Sequence, residues 1–129
     1  MAGETILIVE DNELNLELAT DLLESAGYVV RQARTAEEAI HAARTTKPQL
    51  ILMDIGLPGM DGLAATRLLK ADPATRQIPV LAVTSHAMKG DEEKARAAGC
   101  TGYMTKPIDT RTFPKTVARM LGTGGTEAD

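Results

Sequence analysis

The sequence predicts an α/β fold, a doubly wound sheet of five parallel strands that alternate with five helices. Three observations predict it: short apolar runs recur along the chain, longer segments of helical periodicity separate them, and turn residues lie at the junctions. Strands that are buried on both faces give such continuous apolar runs. Successive strand–helix–strand units are right-handed, so helices are expected to cover both faces of the sheet.

The first unit consists of two strands and one helix. The apolar run TILIV predicts a strand over residues 5–9. A helix is expected over 13–27, where Asn12 is placed to cap its start and Gly27 to end it. The run YVVRQA predicts a second strand over 28–33, and its lower apolar content indicates a position nearer an edge of the sheet.

The middle of the chain repeats this alternation. A helix is expected over 35–46, because it opens with a threonine and a glutamate at the spacing of a capping box. The run LILMD predicts a third strand over 50–54. Asp61 is placed to cap a third helix that continues through Lys70.

The last part contains two more strands, predicted at residues 78–84 and 102–105. It also contains two more helices, one predicted at residues 89–99 and one that follows a cap at Asp109 and continues to about Leu121. One domain is therefore expected over residues 1–122. The glycine-rich, acidic residues 123–129 are expected to be a disordered tail.

The composition excludes several classes of function. The 129 residues carry a formal net charge of −4, only 2% are aromatic, and there is no tryptophan, so nucleic acid is not expected as a partner. No apolar stretch approaches the ~20 residues that span a bilayer and no signal peptide is evident, so the chain is expected in the cytoplasm without a membrane partner. Cys100, the single cysteine, is interpreted as a small half-buried filler and not as a nucleophile.

Polar side chains end or directly follow four of the predicted strands at their carboxyl ends, where open α/β sheets bind ligands. They are Glu10, Asp11, Asp54, Thr84 and Lys106. Taken singly, each has an ordinary reading as a cap, a turn, a strand residue or a solvated lysine. Together they bring three carboxylates, a hydroxyl and an ammonium to one edge, a set suited to Mg²⁺ and a phosphoryl group. Asp54 can then act as a nucleophile that forms an aspartyl phosphate.

Four segments in this order make the chain resemble the receiver domains of two-component response regulators over essentially its whole length. They are IVEDN at 8–12, LILMDIGLPGMDG at 50–62, LAVTSHAM at 81–88 and TKPI at 105–108. The wording EDNELN and AMKGDEEKARAAGC is similar to the DivK-type stand-alone receivers of bacterial cell-fate pathways. The resemblance implies a flavodoxin-like topology with strand order 2-1-3-4-5. It also implies a phosphoacceptor switch that catalyses only its own phosphorylation and dephosphorylation.

The resemblance assigns roles around the metal. It implies that Asp54 is the phosphoacceptor, that Asp11 binds Mg²⁺ directly, and that Glu10 acts through a metal-bound water. The backbone carbonyl of Gly56 would be the third protein ligand. Many relatives carry a larger side chain at this position, so we predict easy access of water and a short-lived phosphate.

The resemblance also assigns a switch and an output surface. Lys106 would pair with the phosphoryl group, Thr84 would move to hydrogen-bond it, and Tyr103 would rotate inward. The output surface would be built from the fourth helix, the fifth strand and the fifth helix, and bind a downstream protein partner. Met88 and Met104 lie in or near it, although both could be core fillers.

The first helix offers a surface for the phosphodonor, expected to be a histidine kinase or a histidine phosphotransfer protein. Its periodicity puts one set of residues on the core face: Leu16, Ala19, Leu23 and Ala26. Leu14 and Leu18 adjoin this face near Asp11. We expect them to dock the histidine-bearing helices, the alternative being that both are covered within the monomer.

Other classes remain as alternatives. An aspartyl-phosphate phosphohydrolase of the haloacid dehalogenase type would need a second aspartate two residues after the first, and Asp54 is followed there by Gly56. A flavodoxin-like electron carrier would need a phosphate cradle where Glu10 and Asp11 lie. A receiver cut from a hybrid histidine kinase, or one that acts only as a scaffold, would share the same motifs.

Overall fold

The structure, a computed structural model, describes residues 3–55, 61–84, 90–105 and 109–123. Five strands alternate with five helices, as the sequence predicts. The strands are β1 (Thr5–Val9), β2 (Val29–Ala33), β3 (Leu50–Asp54), β4 (Val80–Thr84) and β5 (Gly102–Thr105). The helices are α1 (Glu13–Ser25), α2 (Ala36–Thr46), α3 (Gly62–Ala71), α4 (Asp91–Ala98) and α5 (Phe113–Thr123). No helix in these ranges is long and apolar enough to cross a bilayer.

The strands form one parallel sheet in the order β2-β1-β3-β4-β5, which confirms the predicted topology. The less apolar strand β2 lies at an edge, as its composition indicates. Val9 at the end of β1 pairs with Met53 of β3, so the residues that follow them, Glu10 and Asp54, are level on neighbouring strands. Thr84 lies one residue beyond Val83, the partner of Asp54 on β4. The register therefore gathers these ends at one edge of the sheet.

Alternating side chains of the strands supply two hydrophobic cores, one on each face of the sheet. The core under α2, α3 and α4 is rich in alanine, and the core under α1 and α5 contains larger side chains such as Leu16 and Phe113. Cys100 lies in the first core at 5% exposure, and its thiol is 3.9 Å from the hydroxyl of Thr66. Burial raises the pKa of the thiol, which keeps it protonated and supports its reading as a filler.

Three predicted helix caps are formed by local side-chain bonds. The Asn12 side chain accepts from the backbone N–H of Asn15, and Asp61 accepts from that of Ala64 at 2.8 Å. The Thr35 hydroxyl accepts from the Glu38 N–H at 3.1 Å. Each such cap satisfies a helix N–H that has no partner within the helix, and it is typically worth about 1 kcal/mol.

Helix α5 begins four residues after Asp109, later than predicted. The Asp109 carboxylate accepts from the backbone N–H groups of Arg111 and Thr112 at 2.8 and 3.4 Å, so it caps a turn that precedes the helix. The Phe113 N–H then donates to the Asp109 carbonyl at 2.9 Å. The helix continues to Thr123, beyond the predicted end.

Helices α1 and α4 are shorter than predicted, and β4 begins later. Ala26, predicted in the core, is exposed because α1 ends at Ser25 and Ala26 follows as its cap. Glycines in the left-handed region bound α4 at both ends. Strand β4 begins at Val80, because the N–H of Ile78 donates to Thr75 in a turn and Pro79 has no N–H to donate.

Candidate functional site

Three carboxylates converge at the carboxyl edge of the sheet. One oxygen each of Glu10, Asp11 and Asp54 can be chosen so that all three lie within 4.8 Å of one another. Glu10 and Asp54 are both only 5% exposed, whereas Asp11 is exposed. Charges so close repel one another strongly where water is partly excluded. A hard divalent cation that prefers oxygen ligands would offset this repulsion, so the donor set fits Mg²⁺.

The start of α1 holds Glu10 in place. The Glu10 N–H donates to the Ala33 carbonyl of β2 at 3.0 Å, which extends the sheet by one residue. One oxygen of its carboxylate accepts from the Asn12 N–H at 3.1 Å. A carboxylate near a helix N-terminus also gains from the helix dipole. The same loop therefore begins the helix and orients an acid of the site.

Asp54 ends the central strand β3, and its position depends on Gly62. The Ile55 N–H donates to the Val83 carbonyl at 3.1 Å, which holds the chain just after Asp54 against β4. Gly62, the first residue of α3, lies so close that a Cβ atom there would be 2.4 Å from the Asp54 carbonyl oxygen. It would also be 2.8 Å from the Ile55 Cα. The helix and the strand end are therefore in direct backbone contact.

Gly62 lies within the segment LILMDIGLPGMDG, but the sequence analysis assigns it no role. A signal was present, because glycine is a poor choice at a helical position unless a close approach requires it. The sequence does not show which part of the chain lies close to this glycine. The contact joins residues of α3 to the end of β3 and depends on how the helix lies on the sheet.

The predicted switch residues lie on β4 and β5. Thr84 is 7% exposed and pairs with Thr105. Tyr103 is half-buried and packs against the core under α4, and its hydroxyl has no hydrogen-bond partner in the described part of the chain. Burial raises the pKa of this phenol, and the carboxylates of Asp91 and Glu92 raise it further.

The neighbouring residue of β5 lies in the other core. Met104 packs against the residues under α1 and α5, which supports its reading as a core filler. Gly56, Met88 and Lys106 lie outside the described residues, so their predicted roles stay predictions.

The two leucines predicted to dock a partner are on the surface. Leu14 is 76% exposed and Leu18 is 38% exposed. The alternative reading requires other parts of the monomer to cover them, and the described part of the chain does not. Leu22, which lies one turn after Leu18 on α1, is partly buried against the core under α1.

A small cavity adjoins the carboxylates. Its volume is about 20 Å³, and the residues that line it include Glu10, Asp54 and Asn15. Ala19 of α1 and Phe113 of α5 contribute to the apolar part of the wall. Sequence reasoning gave Asn15 no role. Its spacing of five residues from Glu10 carries no recognisable motif.

Comparison with known proteins gives one family. The family model described as "Response regulator receiver domain" matches residues 6–118. The polar-differentiation response regulator DivK of Brucella anthropi is 50% identical over 119 residues, which are 92% of this chain and 97% of that protein. DivK of Brucella ovis is similar to the same extent.

Solved structures agree with this result. The receiver domain of the sensor histidine kinase PA1611 of Pseudomonas aeruginosa, solved with a magnesium ion coordinated in its active site cleft, is 36% identical. It has a TM-score of 0.86 and covers 94% of this chain and 99% of its own. The chemotaxis response regulator CheY4 of Vibrio cholerae is 25% identical with a TM-score of 0.86, covering 92% and 99%.

Proposed function

Because this chain belongs to the response regulator receiver domains, we propose that it accepts the phosphoryl group of a two-component phosphorelay on the carboxylate of Asp54. The chain is a signalling switch of the DivK-like type rather than a conventional enzyme. The observation that carries the assignment to Asp54 is the convergence of Glu10, Asp11 and Asp54 within 4.8 Å. The family match does not favour a phosphohydrolase of the haloacid dehalogenase type.

The transfer consists of one displacement at phosphorus. An oxygen of Asp54 forms a bond to phosphorus while the bond from phosphorus to the imidazole nitrogen of a phosphohistidine donor breaks. The electron pair of that bond stays on the imidazole, which takes up a proton from solvent. The rigid strand end orients the attacking oxygen, and such positioning is a large part of phosphoryl-transfer catalysis.

The residues around Asp54 fit a magnesium ion. Receiver domains bind Mg²⁺ at an acidic pocket, and we assign the direct ligands here to Asp11, Asp54 and the backbone carbonyl of Gly56, with Glu10 acting through water. When bound, the ion neutralises the oxygens of the incoming phosphoryl group. Glu10 is already oriented for its part by the Asn12 N–H.

The conformational response involves three residues. Lys106 would pair with the phosphoryl group, and the Thr84 hydroxyl would move to donate a hydrogen bond to it. Tyr103 would then rotate toward the space that Thr84 leaves. Its hydroxyl has no hydrogen bond to break within the described residues, which lowers the cost of this rotation. The repacked surface of α4, β5 and α5, with Met88 and Met104 in or near it, would bind a downstream protein.

A histidine kinase or a histidine phosphotransfer protein is the proposed donor. Receiver domains interact with kinases and downstream partners in general. On this chain, the exposed Leu14 and Leu18 follow shortly after Asp11 at the start of α1. An apolar pair beside the acids could pack on the helices that carry the phosphohistidine and bring it within reach of Asp54.

The test uses small-molecule donors. The protein is incubated with Mg²⁺ and acetyl phosphate, or with beryllofluoride, and intact-mass measurement and NMR detect the adduct. We expect an adduct that requires Mg²⁺ and that Asp54→Asn abolishes. Asp61→Asn is the matched control, because asparagine caps a helix as well as aspartate does and Asp61 lies on the same edge. The absence of any adduct on the wild-type chain, or its persistence on Asp54→Asn, would refute the assignment.

A further inference from the structure

Two consecutive residues at the end of β2 hold both ends of the short loop that carries Asp11. Before Asp11, the Glu10 N–H donates to the Ala33 carbonyl at 3.0 Å. After it, the Arg34 guanidinium donates to the Glu13 carboxylate. Its Nη2 lies 2.9 and 3.2 Å from the two carboxylate oxygens, and its Nε lies 3.3 Å from Oε1. One strand end therefore clasps this loop on both sides.

Arg34 is itself held by the helix that follows it. Its backbone N–H donates to the Glu38 Oε1 atom at 2.9 Å. The Glu38 N–H in turn donates to the Thr35 hydroxyl that caps α2, at 3.1 Å. The side chain of Arg34 therefore extends from a point anchored in the first turn of α2. Through this side chain, α2 and the start of α1 are joined across the end of β2.

Asp11 depends on its flanking backbone more than the other two acids do. Glu10 and Asp54 are buried, and the Asn12 N–H orients the Glu10 carboxylate at 3.1 Å. Asp11 is exposed, so few packed neighbours fix its side chain. Site geometry is precise only where surrounding contacts hold the groups that form it. For Asp11 this support comes from the two ends of its loop.

We propose that Arg34 is a positioning residue of the metal site, which fixes the backbone that carries Asp11 through its forked contact with Glu13. This inference rests on the proposed function, which assigns Asp11 as a direct ligand of Mg²⁺. The two paired side chains are 48% and 60% exposed, and most exposed ion pairs contribute little. Forked arginine–carboxylate contacts are the exception, because more than one hydrogen bond fixes the relative orientation of the two groups.

A purely electrostatic role for Arg34 predicts the opposite effect on metal binding. Arg34 follows β2 at the same edge of the sheet as the three acids. If its charge alone mattered, removing that charge would strengthen the binding of another cation there. If Arg34 holds the loop, removing it lets Asp11 move, and the affinity for Mg²⁺ falls. The direction of the change therefore distinguishes positioning from charge.

The first measurement needs no metal. In the metal-free protein, Arg34→Gln is expected to speed hydrogen exchange of the Glu10 and Asn12 N–H groups about 3- to 5-fold relative to the amides of β3, the upper part of the range for an exposed pair. Arg44→Gln is the matched control. Arg44 forms an ion pair with Asp72 at 2.8 Å, near the carboxyl end of α2, so its loss should leave both amides unchanged.

The second measurement is the Mg²⁺ affinity, by calorimetric titration without a phosphodonor. Arg34→Gln should weaken binding about 3- to 5-fold, and Arg44→Gln should leave it unchanged. Arg34→Lys keeps the charge and loses the fork, so it should weaken binding less than Arg34→Gln does. Glu13→Gln removes the other half of the contact and should also weaken binding. In that background, Arg34→Gln should change the affinity by less than about 2-fold.

The possible results separate this inference from the proposed function. Unchanged amide exchange in Arg34→Gln, or Mg²⁺ affinity in that variant at or above the wild-type value, overturns this inference alone. So does a full effect of Arg34→Gln in the Glu13→Gln background. A wild-type chain that binds no Mg²⁺ and forms no adduct on Asp54 overturns the proposed function, and the role of Arg34 at the metal site with it.

Discussion

Replacing Gly62 by alanine should disturb the strand end that carries Asp54. The added Cβ would lie 2.4 Å from the Asp54 carbonyl oxygen, 2.8 Å from the Ile55 Cα and 2.9 Å from the Met53 Cγ. Ordinary contacts begin near 3.4 Å, so the oxygen must recede by about 1 Å. Two of the three atoms belong to the backbone and cannot rotate away. The strand end or the start of α3 must therefore shift.

The expected magnitude follows from two opposing effects. Overpacking costs about 1–3 kcal/mol, and alanine recovers about 0.5–1 kcal/mol through its better helix propensity. We expect a net loss of about 1–2 kcal/mol in the free energy of unfolding, a fall of roughly 3–10 °C in unfolding temperature for a domain of this size. Misplacing a reacting group by about 1 Å can cost about 100-fold in rate, so phosphorylation should suffer more than stability does.

The assay pairs thermal unfolding with the initial rate of phosphorylation by acetyl phosphate and Mg²⁺. Gly3→Ala is the matched control, because Gly3 has a φ of +100° and no atom within 4 Å of a Cβ placed there. It lies before β1, at the amino-terminal end of that strand, whereas Asp54 lies at the carboxyl end of β3. We expect this control to lose stability through backbone strain while the phosphorylation rate holds. If Gly62→Ala phosphorylates at the wild-type rate, the close contact does not position Asp54.

Three further predictions concern other parts of the chain. Leu14→Glu should slow transfer from a phosphohistidine donor about 10-fold more than it slows uptake from acetyl phosphate, and equal slowing of both would contradict docking through α1. Gly56→Asn should lengthen the lifetime of the phosphate by shielding it from water; an unchanged rate of dephosphorylation would reject this. The pKa of Asp72 is lowered, first by the hydrogen bond from the Ala74 N–H and then by Arg44. This contribution to stability is present above the unfolded pKa of about 4 and is lost as the pH falls through the folded value. Asp72→Asn should therefore narrow the difference in unfolding temperature between pH 7 and pH 3, and an unchanged difference would contradict the linkage.

The elements and their order could be predicted because their signals are local. A capping box joins positions three apart, so Thr35 was recognised at the start of α2 from sequence and its hydroxyl bonds as expected. A central strand is apolar on both faces, so the charge at the end of LILMD was conspicuous. The rule that ligands bind at the carboxyl ends of parallel strands then brought Glu10, Asp11 and Asp54 together without coordinates.

The features that sequence reasoning missed depend on distances between elements. Nothing near Gly62 in sequence shows that α3 touches the backbone after β3, and nothing near Asn15 shows that α1 borders a cavity at Asp54. The start of α5 was missed for a different reason. Aspartate can cap a turn or a helix with the same carboxylate, and the residues around Asp109 do not distinguish the two.

Strand β5 connects the two sides of the molecule. Tyr103 belongs to the interior under α4, and its neighbour Met104 belongs to the interior under α1 and α5. Because β5 is the outermost strand of the described sheet, β4 is the one strand with which it pairs there, and β5 can be displaced by straining a single ladder. A small slide of these four residues would loosen or tighten both halves of the protein together.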